Sequence, residues 1–140
     1  MPLVLIMRGL SPWILVRIGE LWSSKIGHFC FDASEQFIRM QERKDNTVDW
    51  FWFKEPTAND QWAIMVKREL PILQWAKYLD IWNRVLPGGH RHMLQSSKTG
   101  TRDIEGLFCK TNYKIKFQAN ESEFAKSWLR REGWEDGDPF

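Results

Sequence analysis

Residues 17–28, RIGELWSSKIGH, contain two cations, two glycines and a histidine, between an apolar strand and a helix. Residues 13–16 are predicted to form a buried strand and residues 29–42 a helix. In α/β proteins, ligands bind in the crevice that such a strand, turn and helix N-terminus form. Gly27 has no Cβ, so a ligand can approach the backbone closely there. The imidazole of His28 can bind a sugar hydroxyl or transfer a proton near neutral pH.

Three side chains in or near this segment have candidate roles, each with a structural alternative. His28 is the candidate catalytic base, and the alternative is a histidine that caps or packs at the turn. Arg17 suits an anionic group of a substrate, whereas the alternative is an ion pair with Glu20 or Asp32. Asp32 is a candidate for orienting His28, although the helix dipole also explains an acidic residue in the first turn.

Two further stretches contain candidate ligand-binding residues. The amide of Asn59 suits a sugar, but a helix N-cap is the favoured interpretation. Gly88, Gly89 and His92 lie in a loop that is a candidate for touching a ligand, whereas termination of the preceding helix also explains the glycine pair. His90 and His92 point to opposite sides of an extended chain, and no acidic residue or cysteine lies nearby, so we predict no metal site.

Length, charge and missing motifs exclude several classes of protein. A chain of 140 residues can form one domain with a core, but not two complete Rossmann-like halves. The net charge of +2 is small and evenly spread, which argues against a nucleic-acid partner. Walker, GxGxxG, GxSxG and HExxH motifs are absent, which argues against a nucleotide hydrolase, a serine hydrolase and a zincin. Residues 3–7 are too few to span a membrane.

The cysteines and aromatic residues suggest a cytoplasmic protein with a large apolar surface. Cys30 and Cys109 have no metal-ligand spacing and are predicted to be buried, reduced thiols, which suits the cytoplasm. Nine Trp and nine Phe are many for this length, and most are expected to pack in the core. The others are candidates for facing a sugar or a protein partner.

Apolar patterns, caps and breakers predict alternating strands and helices. Strands are expected at residues 3–7, 13–18, 48–53 and 113–117. Helices are expected at residues 29–42, 59–70, 72–86 and 103–109, and from Asn120, which opens a capping box with Glu123, to Gly133. This alternation predicts an α/β sandwich with a mainly parallel sheet.

Several motifs resemble those of a family of glycosyltransferases encoded in bacterial surface-polysaccharide clusters. The family's arginine-isoleucine-glycine-histidine signature appears here as Lys25-Ile26-Gly27-His28, with lysine in place of arginine. The likeness continues through residues 55–59, residues 84–89 with His92, residues 101–104 and residues 133–140. The family is believed to have the two-domain GT-B fold. The resemblance therefore implies that residues 1–140 form a single, incomplete N-terminal domain, a Rossmann-like three-layer sandwich.

The resemblance implies the acceptor-side portion of an enzyme that transfers sugar from a nucleotide-sugar to a surface polysaccharide or exopolysaccharide. In this interpretation residues 1–140 do not include the domain that binds the nucleotide-sugar, so the chain is expected to be inactive alone. It would be the product of a truncated gene, a fragment or half of a split enzyme. No metal or cofactor is implied. The implied site consists of catalytic His28 and substrate-binding Arg17, Gly27, Asp32, Asn59, Gly88, Gly89 and His92.

Partners and location follow from the same interpretation. The acceptor would be a carbohydrate or a lipid-linked sugar, and a nucleotide-sugar would bind only if the second domain were supplied. The expected location is the cytoplasm, and the alternative is peripheral attachment to the inner membrane. The alternative function is a non-catalytic module that binds carbohydrate or a protein partner and forms a homo- or hetero-oligomer through its aromatic-rich surface.

Overall fold

Two parallel strands form the centre of the fold in the computed structural model, which describes residues 2–94, 103 and 105–135. Strand β1 (Leu15–Leu21) pairs with strand β2 (Thr47–Phe53) from the first residue of each to the last. Helix α2 (Ile26–Glu42) connects them, because parallel strands need a long crossover. Residues 101, 102, 104 and 136–140, which carry parts of the motifs considered above, lie outside the described residues.

The remaining elements are helical and follow β2 or precede β1. They are α1 (Pro2–Gly9), α3 (Asp60–Glu69), α4 (Ala76–Val85), a 3-10 turn (Gly89–His92), α5 (Leu107–Lys110) and α6 (Ala119–Arg131). Within the described ranges, no helix has the length and apolar character needed to cross a membrane.

Single parallel bridges extend the strand pair on both sides. Met93 bridges to Ile18 of β1, and Ile72 bridges to Phe51 of β2. The N–H of Leu94 donates to the carbonyl of Ile18 at 2.9 Å. Every strand pairing among the described residues is therefore parallel, in agreement with the predicted orientation, although the continuous ladder contains two strands.

Each face of the strand pair carries its own apolar cluster, because side chains alternate along a strand. On one face, Leu21, Phe51 and Phe53 pack with residues of α2 and α3. On the other face, Val16 and Ile18 pack with residues of α1 and α4. This mixture of a small parallel sheet and packed helices confirms the α/β class.

The strand predicted at residues 3–7 is wrong, because these residues form helix α1. Val4 and Met7, three positions apart, are buried against the strands, while Leu3 and Leu5 are more than half exposed. That spacing is helical. A short run composed only of apolar residues has no visible period, so it did not distinguish a helix from a strand.

The other strand predictions differ in their accuracy. The strand expected at residues 48–53 is confirmed as β2, and the one expected at residues 13–18 is displaced, since β1 begins at Leu15 and Trp13 is 71% exposed. Residues 113–117 do not form a strand. Ile115 packs against the apolar cluster near α2 and α3, but no described segment pairs with its backbone.

The helix predictions are mostly right, with shifted ends. α2 begins three residues earlier than expected, and α4 begins at Ala76 because Ile72 pairs with β2 instead. The capping box of α6 is formed by Gln118 and Glu121 rather than by Asn120 and Glu123. Gly133, with φ of +91°, follows the end of α6 as predicted.

The expectation that both cysteines are buried is wrong. Cys109 lies in the short helix α5 and is exposed, while Cys30 is half-buried on α2. Both are free thiols, as expected. Burial raises the pKa of Cys30, which keeps its thiol protonated at neutral pH.

Helix α6 is attached to α3 by an ion pair that is expected to weaken at acidic pH. Arg68 donates to both carboxylate oxygens of Glu121, at 2.7 and 3.1 Å. The hydrogen bond from Arg68 lowers the pKa of Glu121, and the backbone N–H of Gln118 lowers it further. Because the folded pKa lies below the ordinary glutamate value of about 4.3, this stabilisation is complete above that value. It is lost as the pH falls through the lowered pKa.

Hydrogen exchange of the α6 amides measures this effect. We expect protection, corrected for intrinsic exchange, to fall between pH 6 and pH 3. Glu121→Gln should have low protection at both pH values, whereas the control Glu123→Gln, at an exposed position on the same helix, should behave as the wild type. Equal protection of wild-type α6 at both pH values would show that the ion pair does not hold the helix.

Candidate functional site

Two loops meet at the carboxyl end of the strands and are joined by hydrogen bonds. Residues 22–25 follow β1 and residues 54–59 follow β2. The buried hydroxyl of Ser23 donates to the carbonyl of Lys54 at 2.6 Å, and the carbonyl of Ser23 accepts from the N–H of Ala58 at 2.7 Å. Ligands of α/β proteins bind at this end of the sheet. The two loops therefore form one edge that these hydrogen bonds of Ser23 hold together.

His28 lies in the first turn of α2, half-buried beside an exposed tryptophan. Its ring centroid is 4.7 Å from that of Trp22, in an edge-to-face arrangement. The backbone N–H of Trp22 donates to Oδ2 of Asp32 at 3.1 Å, and Asp32 is only 4% exposed. Asp32 thus positions Trp22, whose ring contacts the imidazole. Gly27, His28 and Asp32 thus lie within the first two turns of α2, and Gly27 is exposed.

Asn59 acts as the N-cap of α3. Its Oδ1 accepts from the backbone N–H of Trp62 at 2.7 Å, and its backbone is extended at φ of −154°. The favoured interpretation of this residue, a cap rather than a sugar ligand, is the role that the structure gives to its side-chain oxygen. The helix that it opens ends at Glu69, just before Pro71, as expected.

A cleft of about 630 Å³ lies at the carboxyl end of β2. Its wall combines apolar side chains with two carboxylates, a lysine, a hydroxyl and an amide. The lining residues are Phe53, Glu55, Pro56, Thr57, Asp60, Ala63, Ile64, Lys67 and Gln74. An apolar cleft with a few converging polar groups is a typical binding site for a small ligand.

Gln74 holds the polar groups of this cleft in place. Its Nε2 donates to Oε1 of Glu55 at 3.0 Å and to the carbonyl of Phe53 at 3.2 Å. Its Oε1 accepts from the N–H of Phe53 at 2.7 Å, so the side-chain amide replaces a neighbouring strand at the end of β2. The Nζ of Lys67 lies 5.6 Å from the centroid of the Phe53 ring. Glu55 can therefore accept a hydrogen bond from a ligand hydroxyl at a fixed position.

Sequence reasoning missed Glu55, Lys67 and Gln74 as candidate site residues. A signal for Glu55 existed, because it comes just after the predicted strand at residues 48–53 and so at the edge where ligands bind. Gln74 carries no such signal, since its partner Phe53 lies 21 positions earlier in the chain.

Arg17 lies away from this edge, in an ion pair with a buried aspartate. Its Nε and Nη2 donate to Oδ1 and Oδ2 of Asp49, at 2.8 and 2.9 Å. Arg43 donates to the same carboxylate, which is 1% exposed. The ion-pair alternative for Arg17 therefore holds, but the partner is Asp49 and not the expected Glu20 or Asp32. Its planar fork is occupied within the protein.

Gly88, Gly89 and His92 also have structural roles. Gly88 follows α4 with φ of +78°, in the left-handed region that glycine favours. Gly89 is buried, and its carbonyl accepts from Nδ2 of Asn83 at 2.9 Å. The Nδ1 of His92, which is 3% exposed, lies 2.6 Å from the carbonyl of Val16. The contact of Gly89 attaches the segment after α4 to α4 itself, and the contact of His92 attaches it to β1.

The structure thus divides the predicted site residues between the two ends of the strands. His92 lies beside Val16, near the start of β1, whereas Trp22 follows its last residue. A strand rises about 3.3 Å per residue, so the six positions between these points correspond to roughly 20 Å. His28, Gly27, Asp32 and Asn59 belong to the carboxyl end, and Arg17, Gly88, Gly89 and His92 do not.

Among the residues that the structure describes, no three histidine, cysteine or acidic side chains are grouped so that they could hold a metal ion. Comparisons of the chain with protein-family models, curated proteins and solved structures give no match. The interpretation of the site therefore rests on its geometry and on the motifs in the sequence.

Proposed function

We propose that the chain is the acceptor-side part of a glycosyltransferase and binds a carbohydrate or lipid-linked sugar acceptor at the carboxyl end of its strands. In this proposal the fold is an incomplete Rossmann-like three-layer domain of GT-B type. The nucleotide-sugar would bind to a second domain, and sugar transfer would need both. The acceptor would be a surface polysaccharide or exopolysaccharide precursor.

One observation carries the proposal. Two motifs of the resemblance, at residues 25–28 and 55–59, lie next to each other at the carboxyl end, although they are about 30 positions apart in the chain. The hydrogen bonds of Ser23 join their loops. The second motif also contributes to the cleft, where Glu55 offers an acceptor and Lys67 a donor to sugar hydroxyls.

His28 is the proposed base at this edge. It would accept the proton of an acceptor hydroxyl while that oxygen bonds to the anomeric carbon of the donor, the bond from this carbon to the phosphate oxygen breaks, and the nucleotide leaves. Asp32, through Trp22, would hold the imidazole in position. We assign no contact with the acceptor to Arg17, Gly89 or His92, because their polar groups bind other parts of the protein.

Replacing His28 with alanine is expected to weaken acceptor binding at least tenfold. Saturation-transfer NMR with di- and trisaccharides of hexoses, hexosamines and uronic acids measures this on the full chain. His90→Ala is the matched control, because His90 is an exposed histidine in the 3-10 turn at the other end of β1. The proposal is wrong if the wild type binds none of these sugars, or if His28→Ala binds them as well as the wild type does.

A non-catalytic carbohydrate-binding or partner-interaction module is the second candidate, favoured by the 44% exposure of Trp22. Its ring could pack against the apolar face of a sugar without any proton transfer. Trp22→Phe, which keeps an aromatic ring next to His28, separates the two. Sugar binding that survives in Trp22→Phe and in His28→Ala alike, but is lost in Trp22→Ala, would favour the module.

A further inference from the structure

Helices α1 and α4 each carry exposed apolar side chains on the side away from the strands. On α1, the outward side chains are Leu3, Leu5 and Ile6, and on α4 they are Tyr78, Ile81 and Val85; each is 54–68% exposed. We call these six residues the α1/α4 face. On both helices the opposite side is buried, so the exposed side is a second apolar stripe. An apolar area of this kind on a protein surface marks an interaction site.

The two helices form one surface because they are fastened to each other. Val4 and Met7 of α1 share an apolar cluster with Ala76 and Leu79 of α4. In addition, Arg8 donates through Nε and Nη2 to Oδ1 of Asn83, at 3.1 and 2.9 Å. Because both helices also pack on the same face of the strands, the outward sides of α1 and α4 both point away from that face.

The charge around the α1/α4 face is positive. The cations on the two helices are Arg8, Lys77 and Arg84, and the single carboxylate is Asp80. Asp80 is buried, and Arg84 donates to both of its oxygens at 3.0 Å. Lys77 lies beside the face, with its Nζ 5.1 Å from the Tyr78 ring centroid. No exposed carboxylate on α1 or α4 opposes an anionic partner.

We propose that the α1/α4 face docks on the surface of an anionic lipid bilayer. Amphipathic helices with an apolar side and flanking cations lie in the plane of the interface, and anionic headgroups attract Lys and Arg close to that surface. Trp75 and Trp82, on or next to α4, are 48% and 43% exposed. Their indole rings suit the headgroup region, where an apolar body and a polar N–H are both satisfied.

The charges favour a lipid surface over a second copy of the chain. In a two-fold dimer through this face, each copy would present the same cations to its partner. An anionic bilayer instead complements Arg8 and Lys77, the two cations on α1 and α4 that no carboxylate of these helices neutralises. This inference is independent of the proposed acceptor site, whose His28 lies on α2, on the opposite face of the strands.

Vesicle co-sedimentation of the full chain tests the proposal. We expect binding to phosphatidylcholine vesicles with 30% phosphatidylglycerol to be at least tenfold stronger than binding to pure phosphatidylcholine, and to weaken in 0.5 M salt. Val85→Glu should abolish it, and Lys77→Gln should reduce it several-fold. The matched control is Phe124→Glu, which puts the same charge on another exposed apolar position, 69% exposed on α6, and should bind as the wild type does.

Three results would overturn the proposal. The first is that Val85→Glu binds vesicles as well as the wild type does. The second is that Phe124→Glu loses as much vesicle binding as Val85→Glu. The third is that the wild type does not bind vesicles but is a dimer in light scattering, and that Val85→Glu is a monomer. The α1/α4 face would then join two copies of the chain. Thermal melts of each variant establish that it is folded. His28→Ala should sediment with vesicles as the wild type does. A negative result for vesicle binding therefore does not count against the proposed acceptor site.

Discussion

Replacing Asp49 with alanine is expected to lower the free energy of unfolding by about 2–4 kcal/mol. Its carboxylate is 1% exposed and binds the guanidinium groups of Arg17 and Arg43, whose side chains are 31% and 12% exposed. Removing the carboxylate leaves two cations close together and partly buried without their counter-charge, which is more costly than losing an exposed ion pair. The partial exposure of Arg17 places the estimate toward the lower end of the range for buried pairs.

Urea unfolding of Asp49→Ala and of a control measures this effect. Glu105→Gln is the control, because it breaks an ion pair of similar length, 2.8 Å to Arg39, whose carboxylate is 66% exposed. We expect the control to change stability by less than about 0.5 kcal/mol. Equal midpoints for the two variants would mean that the cluster at Asp49 does not stabilise the fold.

Gly89→Ala is expected to destabilise the chain by about 2–3 kcal/mol through overpacking. A Cβ at this position would collide with the backbone carbonyl oxygen of Asn83 and would come within 2.7 Å of Nη2 of Arg8. Neither atom can retreat freely. The carbonyl belongs to α4, and the guanidinium also donates to the carbonyls of Leu86 and Pro87. These contacts join α1 to the end of α4.

Gly88→Ala provides the matched comparison. Gly88 has φ of +78° and open space where a Cβ would lie, so alanine there costs only the left-handed backbone conformation, about 1 kcal/mol. Chemical denaturation should therefore rank Gly89→Ala as clearly less stable than Gly88→Ala. The reverse order would show that close packing at Gly89 is less important than backbone conformation at Gly88.

Local signals predicted much of the helical structure. Asn59 and Pro71 mark the limits of α3 because a cap and a proline act on their immediate neighbours. Gly133 marks the end of α6 for the same reason. The strand at residues 48–53 was recognisable from its continuous apolar side chains. The stretch at residues 3–7 is also made of apolar residues, yet it is a helix. Since its hydrophobic pattern favours neither a helix nor a strand, packing against α4 decides its conformation.

The candidate site was only half predictable. His28, Gly27 and Asp32 are close in sequence and lie on one helix turn or the next, so their proximity follows from local structure. Glu55 and Gln74 come together only because the chain after α3 returns to β2. Arg17 was predicted to bind an anionic group of a substrate, with an ion pair to a nearby carboxylate as the alternative, but the parallel register places Asp49 directly opposite it.

By itself, the sequence determined the α/β class, the parallel orientation of the strands, most helices and the position of Gly27, His28 and Asp32 near one helix N-terminus. These depend on interactions within a few residues and on the length of the connection between strands. The tertiary structure decided the helical state of α1, the partner of Arg17 and the separation of His92 from His28. It decided them because the register of β1 with β2, and the packing of helices on each face, determine which distant residues meet.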